Sequence, residues 1–328
     1  MKAILVNKPG GIEELQIGEL ATPEPREQEV LVRVRAAALN RADILQRKGY
    51  YPPPPGASNI LGLEFAGKIV ALGANCHRLS IGDRVCGLLA GGGYAQYAAI
   101  HEQMAMPIPE NANDAEAAAI PEAFLTAFHA LFLLGNLQTG QRVLIHAGAS
   151  GVGTASIQLA REIGAEIFVT ASREKKLLAC KRLGAKHLIN YQTDDFAAVV
   201  QRVTNGRGVD LVIDFIGATY FSKNLQCLGL DGRLVLLSLL SGQLANEIDL
   251  RLILSKRLQI VGSTLRNRSI DEKIRLTQAF WQFAGSKWQA GILRPVIDRV
   301  YDWRAVQDAH ALMEANENIG KIVLNVTD

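Results

Sequence analysis

The segment Val143-Leu-Ile-His-Ala147 runs straight into Gly148-Ala-Ser-Gly-Val-Gly153, and then into a stretch with apolar residues at Ile157, Leu159, Ala160 and Ile163. The order is buried strand, glycine-rich turn, amphipathic helix, and few folds accommodate it. Gly148 and Gly153 take the first and third glycine positions of a G-x-G-x-x-G pattern, with Ser150 in the middle and Gly151 beside it. Such a turn lets backbone approach a diphosphate closely, while the helix start offers N–H donors and partial positive charge. The alternative is a plain strand-to-helix turn that needs small residues.

The surroundings fit the first reading. From Arg142 onward strands and helices alternate: Glu166 to Ala171 reads as a strand, Glu174 to Leu183 as a helix, and Leu188 to Tyr191, Asp210 to Phe215, Arg233 to Leu237 and Leu258 to Gly262 as strands. Continuous apolar strands alternating with helices predict an α/β, doubly wound parallel sheet covered on both faces. The first hundred or so residues are instead β-rich, with strands expected at Met1 to Val6, Val30 to Ala38, Ala66 to Leu72, Arg84 to Leu89 and Tyr94 to Ala98. Pro52 to Pro55 must form an extended loop, because proline donates no ladder hydrogen bond. A long amphipathic helix is expected near Ile270 to Ala290, followed by a strand at Val296 to Val300, a helix at Trp303 to Ala315 and a strand at Lys321 to Val326.

The end of the strand after the turn bears on cofactor choice. An acidic residue there would bind ribose hydroxyls and repel a 2′-phosphate. The sequence has Thr170-Ala171-Ser172-Arg173 instead, with Lys175 and Lys176 on the following helix. A hydroxyl with nearby cations suits a phosphate, so NADPH is the expected cofactor, with Arg173 and Lys176 as its phosphate partners. The lysines also read as a solvated helix face, and Glu174 lies among them.

Composition narrows the classes. A net charge of +3 over 328 residues gives no reason to expect nucleic-acid binding. The apolar run at Met1 to Gly10 is too short for a signal peptide, and no stretch is long enough to cross a bilayer. Cys76, Cys86, Cys180 and Cys227 are scattered, which suggests reduced thiols in a cytoplasmic setting and leaves a disulfide open.

Several segments together carry a family resemblance: Leu39-Asn-Arg-Ala-Asp43, Tyr51-Pro-Pro-Pro-Pro-Gly56, Gly62-Leu-Glu-Phe-Ala-Gly67, Gly82-Asp-Arg-Val85, Ala119-Ile-Pro-Glu-Ala123, the glycine turn, and Met313-Glu-Ala-Asn-Glu-Asn-Ile-Gly-Lys321. Over essentially its whole length the chain resembles the medium-chain dehydrogenase/reductase superfamily. Within it, the chain is most similar to the zinc-independent, zeta-crystallin-like quinone oxidoreductases, and nearest to the branch holding the tumour-suppressor-inducible quinone reductase. The resemblance implies a GroES-like catalytic domain over 1–120 and 292–328, with a Rossmann nucleotide-binding domain over 121–291. Zinc-dependent members carry Cys where this chain has Asn40 and His where it has Leu63, so no catalytic metal is expected.

The resemblance also implies residue roles. Asn40 and Tyr51 would line the cleft beside the nicotinamide and act as the catalytic pair. Ser150, Gly151 and Val152 would hold the diphosphate, Ser172 and Lys176 the adenosine phosphate, and Tyr191 the adenine or ribose. Thr126, Phe215 and Ile216 would flank the nicotinamide. Each has a plainer reading: Asn40 as a turn cap, Tyr51 and Tyr191 as packing, Asp43 as the cap of a short helix, and Glu64 as a buried structural carboxylate. His129, His146, Trp281 and Trp288 read as packing.

The expected activity is NADPH-dependent reduction of a quinone-like acceptor, with Tyr51 or Asn40 assisting as hydrogen-bond donor. Two alternatives stand beside it: reduction of the double bond of a 2-alkenal or enoyl thioester, and a non-catalytic, crystallin-like NADPH-binding protein. A homodimer is expected, paired along an edge strand at Leu234 to Leu240 or Leu258 to Val261.

Overall fold

The computed structural model describes residues 1–246 and 248–327; Glu247 and Asp328, which fall within the expected domain ranges, lie outside them. The chain divides into two compact units, Met1–Leu125 with Leu265–Asp328, and Thr126–Thr264.

In the first unit, β1 (Lys2–Val6) pairs antiparallel with β2 (Leu15–Glu19). There follow β3 (Glu29–Ala38), α1 (Arg41–Arg47), β4 (Glu64–Leu72), β5 (Arg84–Leu88), β6 (Tyr97–His101), β7 (Ala105–Pro107) and α2 (Asp114–Ala118). α3 (Pro121–Phe128) starts in this unit and ends in the next. The strand expected at Tyr94 to Ala98 begins three residues later. Tyr94 is fully buried, and its backbone bonds Leu61 and Ile4 across two neighbouring segments rather than entering the ladder.

The second unit holds β8 (Arg142–Ile145), α4 (Gly151–Glu162), β9 (Glu166–Ala171), α5 (Glu174–Leu183), β10 (His187–Asn190), α6 (Phe196–Val203), β11 (Val209–Asp214), α7 (Ala218–Cys227), β12 (Leu228–Leu236), α8 (Leu250–Lys256) and β13 (Gln259–Gly262). Its six strands are all parallel, in the order β10-β9-β8-β11-β12-β13. The sheet therefore winds one way from β8 and then the other, and reverses between β8 and β11. Ligands of such sheets bind outside the carboxyl ends of the strands at that reversal. Leu144, Phe168, Ile189, Val212 and Leu234 are fully buried in its core, as strands covered on both faces require. Leu234 to Leu236 lies in β12, inside the sheet, so only the Leu258 to Val261 candidate falls on an edge strand, β13.

The chain then returns to the first unit through α9 (Ile270–Gln289), β14 (Ile297–Asp302), α10 (Val306–Glu314) and β15 (Lys321–Asn325). These complete a seven-stranded sheet ordered β14-β15-β3-β4-β5-β7, with β6 also paired to β3. The expected boundary at 291/292 is thus displaced: α9 belongs with the first unit. The reason is packing, since Phe280 of α9 meets Phe124 with ring centroids 6.3 Å apart, and Arg266 bonds Ala90, Tyr51 and Gln46. Residues 121–125 likewise fall in the first unit. The four cysteines are free and buried. Trp281 and Trp288 pack edge to face, 6.0 Å apart. Among the described residues no helix is long and apolar enough to cross a membrane.

Candidate functional site

The glycine turn lies at the carboxyl end of β8. Ala147 adopts a left-handed φ of 47°, a conformation a non-glycine residue takes at local cost. The turn is held to the sheet by the Gly148 N–H donating to Thr170 O at 3.0 Å. A β-carbon at Gly153 would meet Ala147 O at 2.4 Å, and one at Gly148 would meet Val169 Cβ at 2.9 Å. These two positions need glycine because the helix start packs directly on the strand. Ser150 caps α4, its Oγ accepting from the Gly153 N–H at 3.0 Å. The N–H groups of Gly151 and Val152 have no acceptor among the described residues. Two unclaimed donors thus stand at the start of a twelve-residue helix, with its positive dipole end behind them, an arrangement to which an anion would be attracted.

The other expected cofactor residues of this unit line the same edge of the sheet. Ser172 and Arg173 follow β9, with Ser172 half-buried, Arg173 exposed and Lys176 half-buried on the first turn and a half of α5. Tyr191 follows β10, exposed, its ring 6.4 Å from that of Tyr220. Phe215 and Ile216 follow β11. Their turn is tied by Asp214, whose Oδ1 and Oδ2 accept from the N–H groups of Ile216 (2.7 Å) and Gly217 (3.2 Å), and by Ser241, which donates to Ile216 O at 2.8 Å. Burial pushes the Asp214 carboxyl up to about 6, against the pull of those donors. Thr126 is half-buried in α3. Beneath the turn, His146 bridges Thr170 Oγ1 (3.0 Å) and Asn224 Oδ1 (2.7 Å). It is fully buried and closely packed on Phe196 and Tyr220, so it is a packed core histidine.

In the first unit, Asn40 and Tyr51 belong to a cluster of charged groups. Asn40 precedes α1, and the cap involves Asp43 differently from expectation: Asp43 sits three positions in, its Oδ2 accepting from the Asn40 N–H at 2.8 Å. Asp43 also accepts from the Gly62 N–H (3.0 Å) and the Tyr94 hydroxyl (3.1 Å); burial still raises its carboxyl to about 6. The Asn40 amide is fully committed. Its Nδ2 donates to Glu64 Oε1 (2.9 Å) and Ala38 O (3.3 Å), and its Oδ1 accepts from Lys321 Nζ (2.7 Å). Lys321 also reaches Glu64 Oε1 at 2.6 Å and Leu39 O at 2.6 Å.

Tyr51 is half-buried. Its ring lies under the Arg266 guanidinium, 5.2 Å from the centroid, and Arg266 also donates to Tyr51 O, Ala90 O and Gln46 Oε1. No partner for the Tyr51 hydroxyl occurs among the described residues. Burial raises its phenol, Arg266 counteracts, and Glu122 adds to the rise. Sequence reasoning assigned no role to Arg266 or Glu122. An arginine directly after the apolar strand and loop at 258–265 is the signal in the sequence for the first.

Comparison with known proteins agrees with this architecture. The family model described as zinc-binding dehydrogenase matches residues 151–280, and that described as alcohol dehydrogenase GroES-like domain matches residues 26–110. The chain is 30% identical to the human quinone oxidoreductase over 331 residues, covering 99% of this chain and 97% of the other. It is also 30% identical to a phenolphthiocerol/phthiocerol polyketide synthase of Mycobacterium tuberculosis over 98% of this chain, which spans only 14% of that protein's length. Among solved structures it superposes on an NAD-dependent alcohol dehydrogenase (TM-score 0.88, 32% identity, all of both chains), on a mycobacterial protein complexed with NADPH (0.88, 28%, 99% and 100%) and on the CurK enoyl reductase (0.86, 29%, 99% of each). With a near full-length relative at this identity, two matching domain models and a reversing parallel sheet behind the glycine turn, the chain belongs to the medium-chain dehydrogenase/reductase superfamily of oxidoreductases.

Proposed function

We propose that this oxidoreductase is NADPH-dependent, works without a catalytic zinc, and reduces a quinone-like acceptor. The observation that carries the reading is the pair of unclaimed N–H groups at Gly151 and Val152, on a turn whose glycines leave no room for a side chain. The turn fits a dinucleotide diphosphate, with the Ser150 hydroxyl beside it. Ser172, Arg173 and Lys176 take the 2′-phosphate, because the end of β9 carries a hydroxyl and cations where a carboxylate would select the other cofactor. Tyr191 lies along the adenosine, and Thr126, Phe215 and Ile216 flank the nicotinamide. The bound reduced dinucleotide supplies the reducing equivalents.

What the chain adds is binding, orientation and a hydrogen-bond donor. Tyr51 is the donor in this reading, since its hydroxyl is uncommitted. Asn40 orients: both of its amide hydrogens are already used, so it holds Glu64 and Lys321 in place. A zinc does not fit. Asn40 and Leu63 offer no anionic or imidazole ligand, and the Lys321 ammonium already supplies the positive charge beside Glu64.

The quinone assignment draws on the near full-length human relative; the second reading, enoyl double-bond reduction, draws on the CurK enoyl reductase. Initial rates of NADPH oxidation on matched quinone and enoyl-thioester panels separate them. Faster turnover of quinones is expected. Dominant enoyl turnover would transfer the assignment, and dinucleotide binding without turnover on either panel would make the protein a non-catalytic binder. We also infer a homodimer, paired through β13, whose outer edge and neighbouring α8 leave Ile260, Leu250 and Leu254 exposed. Four free thiols accord with a reducing, cytoplasmic compartment.

A further inference from the structure

Arg266 is the second residue after the chain returns to the first unit, and it is only 4% exposed. Its guanidinium donates from all three nitrogens: Nε to Ala90 O at 2.7 Å, Nη1 to Tyr51 O at 3.1 Å and Nη2 to Gln46 Oε1 at 2.6 Å. The Gln46 amide in turn donates to Asn59 O at 2.9 Å. One side chain therefore holds both ends of the proline loop, directly at Tyr51 and through Gln46 at Asn59. The guanidinium carbon also lies 5.2 Å from the centroid of the Tyr51 ring. Backbone and ring of Tyr51 are thus gripped together, while its hydroxyl stays uncommitted. Lys273 on α9 steadies the arginine by donating to Arg266 O at 2.8 Å.

All three acceptors of Arg266 are neutral, and it makes no ion pair among the described residues. Two other enclosed cations of this unit differ: Lys321 has Glu64, and Arg47 has Glu314. A buried charge ordinarily has a carboxylate partner, because leaving water is costly. Here the face of a tyrosine ring takes that place, and a flat, weakly hydrated guanidinium suits it.

We propose that Arg266 is the positioning residue for Tyr51: it fixes the ring at the start of the proline loop and sets an unpaired positive charge against the ring's face, leaving the hydroxyl free to donate. The idea rests on the reading of Tyr51 as the hydrogen-bond donor, and deepens it. A cation beside a phenol stabilises the negative charge that grows on its oxygen as the hydrogen is given away. Burial raises the Tyr51 phenol, Arg266 pulls it down, and Glu122 adds to the rise. Asp43 and Lys273 are the other charged groups whose fields reach this pair. Lysine cannot stand in for Arg266, because an ammonium has neither the flat face nor the fork that reaches three acceptors at once.

The first test needs neither cofactor nor acceptor, so its failure is distinct from failure of the proposed reaction. The Tyr51 phenol is titrated by ultraviolet absorbance, each protein being measured against its own Tyr51→Phe counterpart. In Arg266→Gln the midpoint should rise by about one pH unit over wild type. An unmoved or lowered midpoint overturns the proposal. If Arg266→Gln fails to fold, NMR of the wild type decides: cross-relaxation between the Arg266 guanidinium N–H groups and the Tyr51 ring protons is expected, and its absence overturns the proposal. In turnover, Arg266→Lys and Arg266→Gln should each lower kcat roughly tenfold or more, with KM for the dinucleotide unchanged. Free guanidinium, too dilute to unfold the protein, should recover part of that loss in Arg266→Gly and none in Tyr51→Phe. Full kcat in Arg266→Lys, or equal recovery in both variants, counts against the proposal.

Discussion

The Lys321 ammonium stands 2.6 Å from Glu64 Oε1, with the two side chains only 5% and 0% exposed. A buried pair of this kind gains little over an apolar pair, but removing one partner leaves an uncompensated charge in the core. Lys321→Met should therefore lower unfolding free energy by about 3–5 kcal/mol, measured by urea denaturation. A loss below about 1 kcal/mol would mean that the core does not depend on this pair.

Gly153→Ala tests the close packing of the turn. The added carbon would meet Ala147 O at 2.4 Å, so the start of α4 has to move off the strand. Overpacking of this kind costs roughly 1–3 kcal/mol. Dinucleotide affinity, read by calorimetry, should fall roughly tenfold or more, since misplaced N–H donors lose charge-assisted bonds of about 1.5–3 kcal/mol each. Unchanged affinity would remove the turn from the binding site.

Lys176→Ala addresses cofactor choice. If its ammonium meets the 2′-phosphate, NADPH should weaken roughly tenfold or more, the size of one charge-assisted bond, while NADH is unaffected. Equal losses for both dinucleotides would refute the assignment.

His146 gives a pH-dependent test. Burial lowers its imidazole to about 4 from 6.5, with the Asn224 bond opposing. The unfolded chain takes up that proton as pH drops through 6.5, while the folded chain resists until about 4. The stability His146 contributes is thus fully present above pH 6.5 and declines through that window. Imidazole resonances should titrate near 4, and His146→Gln should lose less stability than wild type between pH 6.5 and 4. A His146 titration near 6.5 would contradict the buried, neutral ring.

Leu254→Asp combined with Ile260→Asp should turn the inferred dimer into a monomer with an intact fold, as judged by sedimentation and circular dichroism. A dimer that survives both changes must pair elsewhere.

The strands and helices that follow a strong period were legible beforehand. The β8–α4 turn, α5 and α9 lie within a few residues of where the sequence puts them, because apolar spacing alone dictates them. Short edge pieces such as β2 and β7 escaped, since their few residues are only partly buried or gain order from neighbours. The residues at the carboxyl ends of β8 to β11 were legible as a set because strand ends fall together in a parallel sheet. The charge cluster was not. Asp43 read as a cap, yet it lies inside the helix and serves Gly62 and Tyr94; those partners are 19 and 51 positions away in the chain. Arg266 and Lys321 reach their partners only through long-range folding, about which local spacing carries no information. The division at residue 265 depends on packing by Phe280 against Phe124, which no periodicity announces.

β15 sits between β14 and β3, with Val323 opposite Ala38 and Leu324 opposite Ala37. A ribosome releases residues 126–264 as one uninterrupted stretch while β3, already able to pair with β4 and β6, still lacks its partner for Ala36 to Ala38. The pairing of residues 36–38 is therefore completed only when residues 321–325, about 280 positions later, have been made.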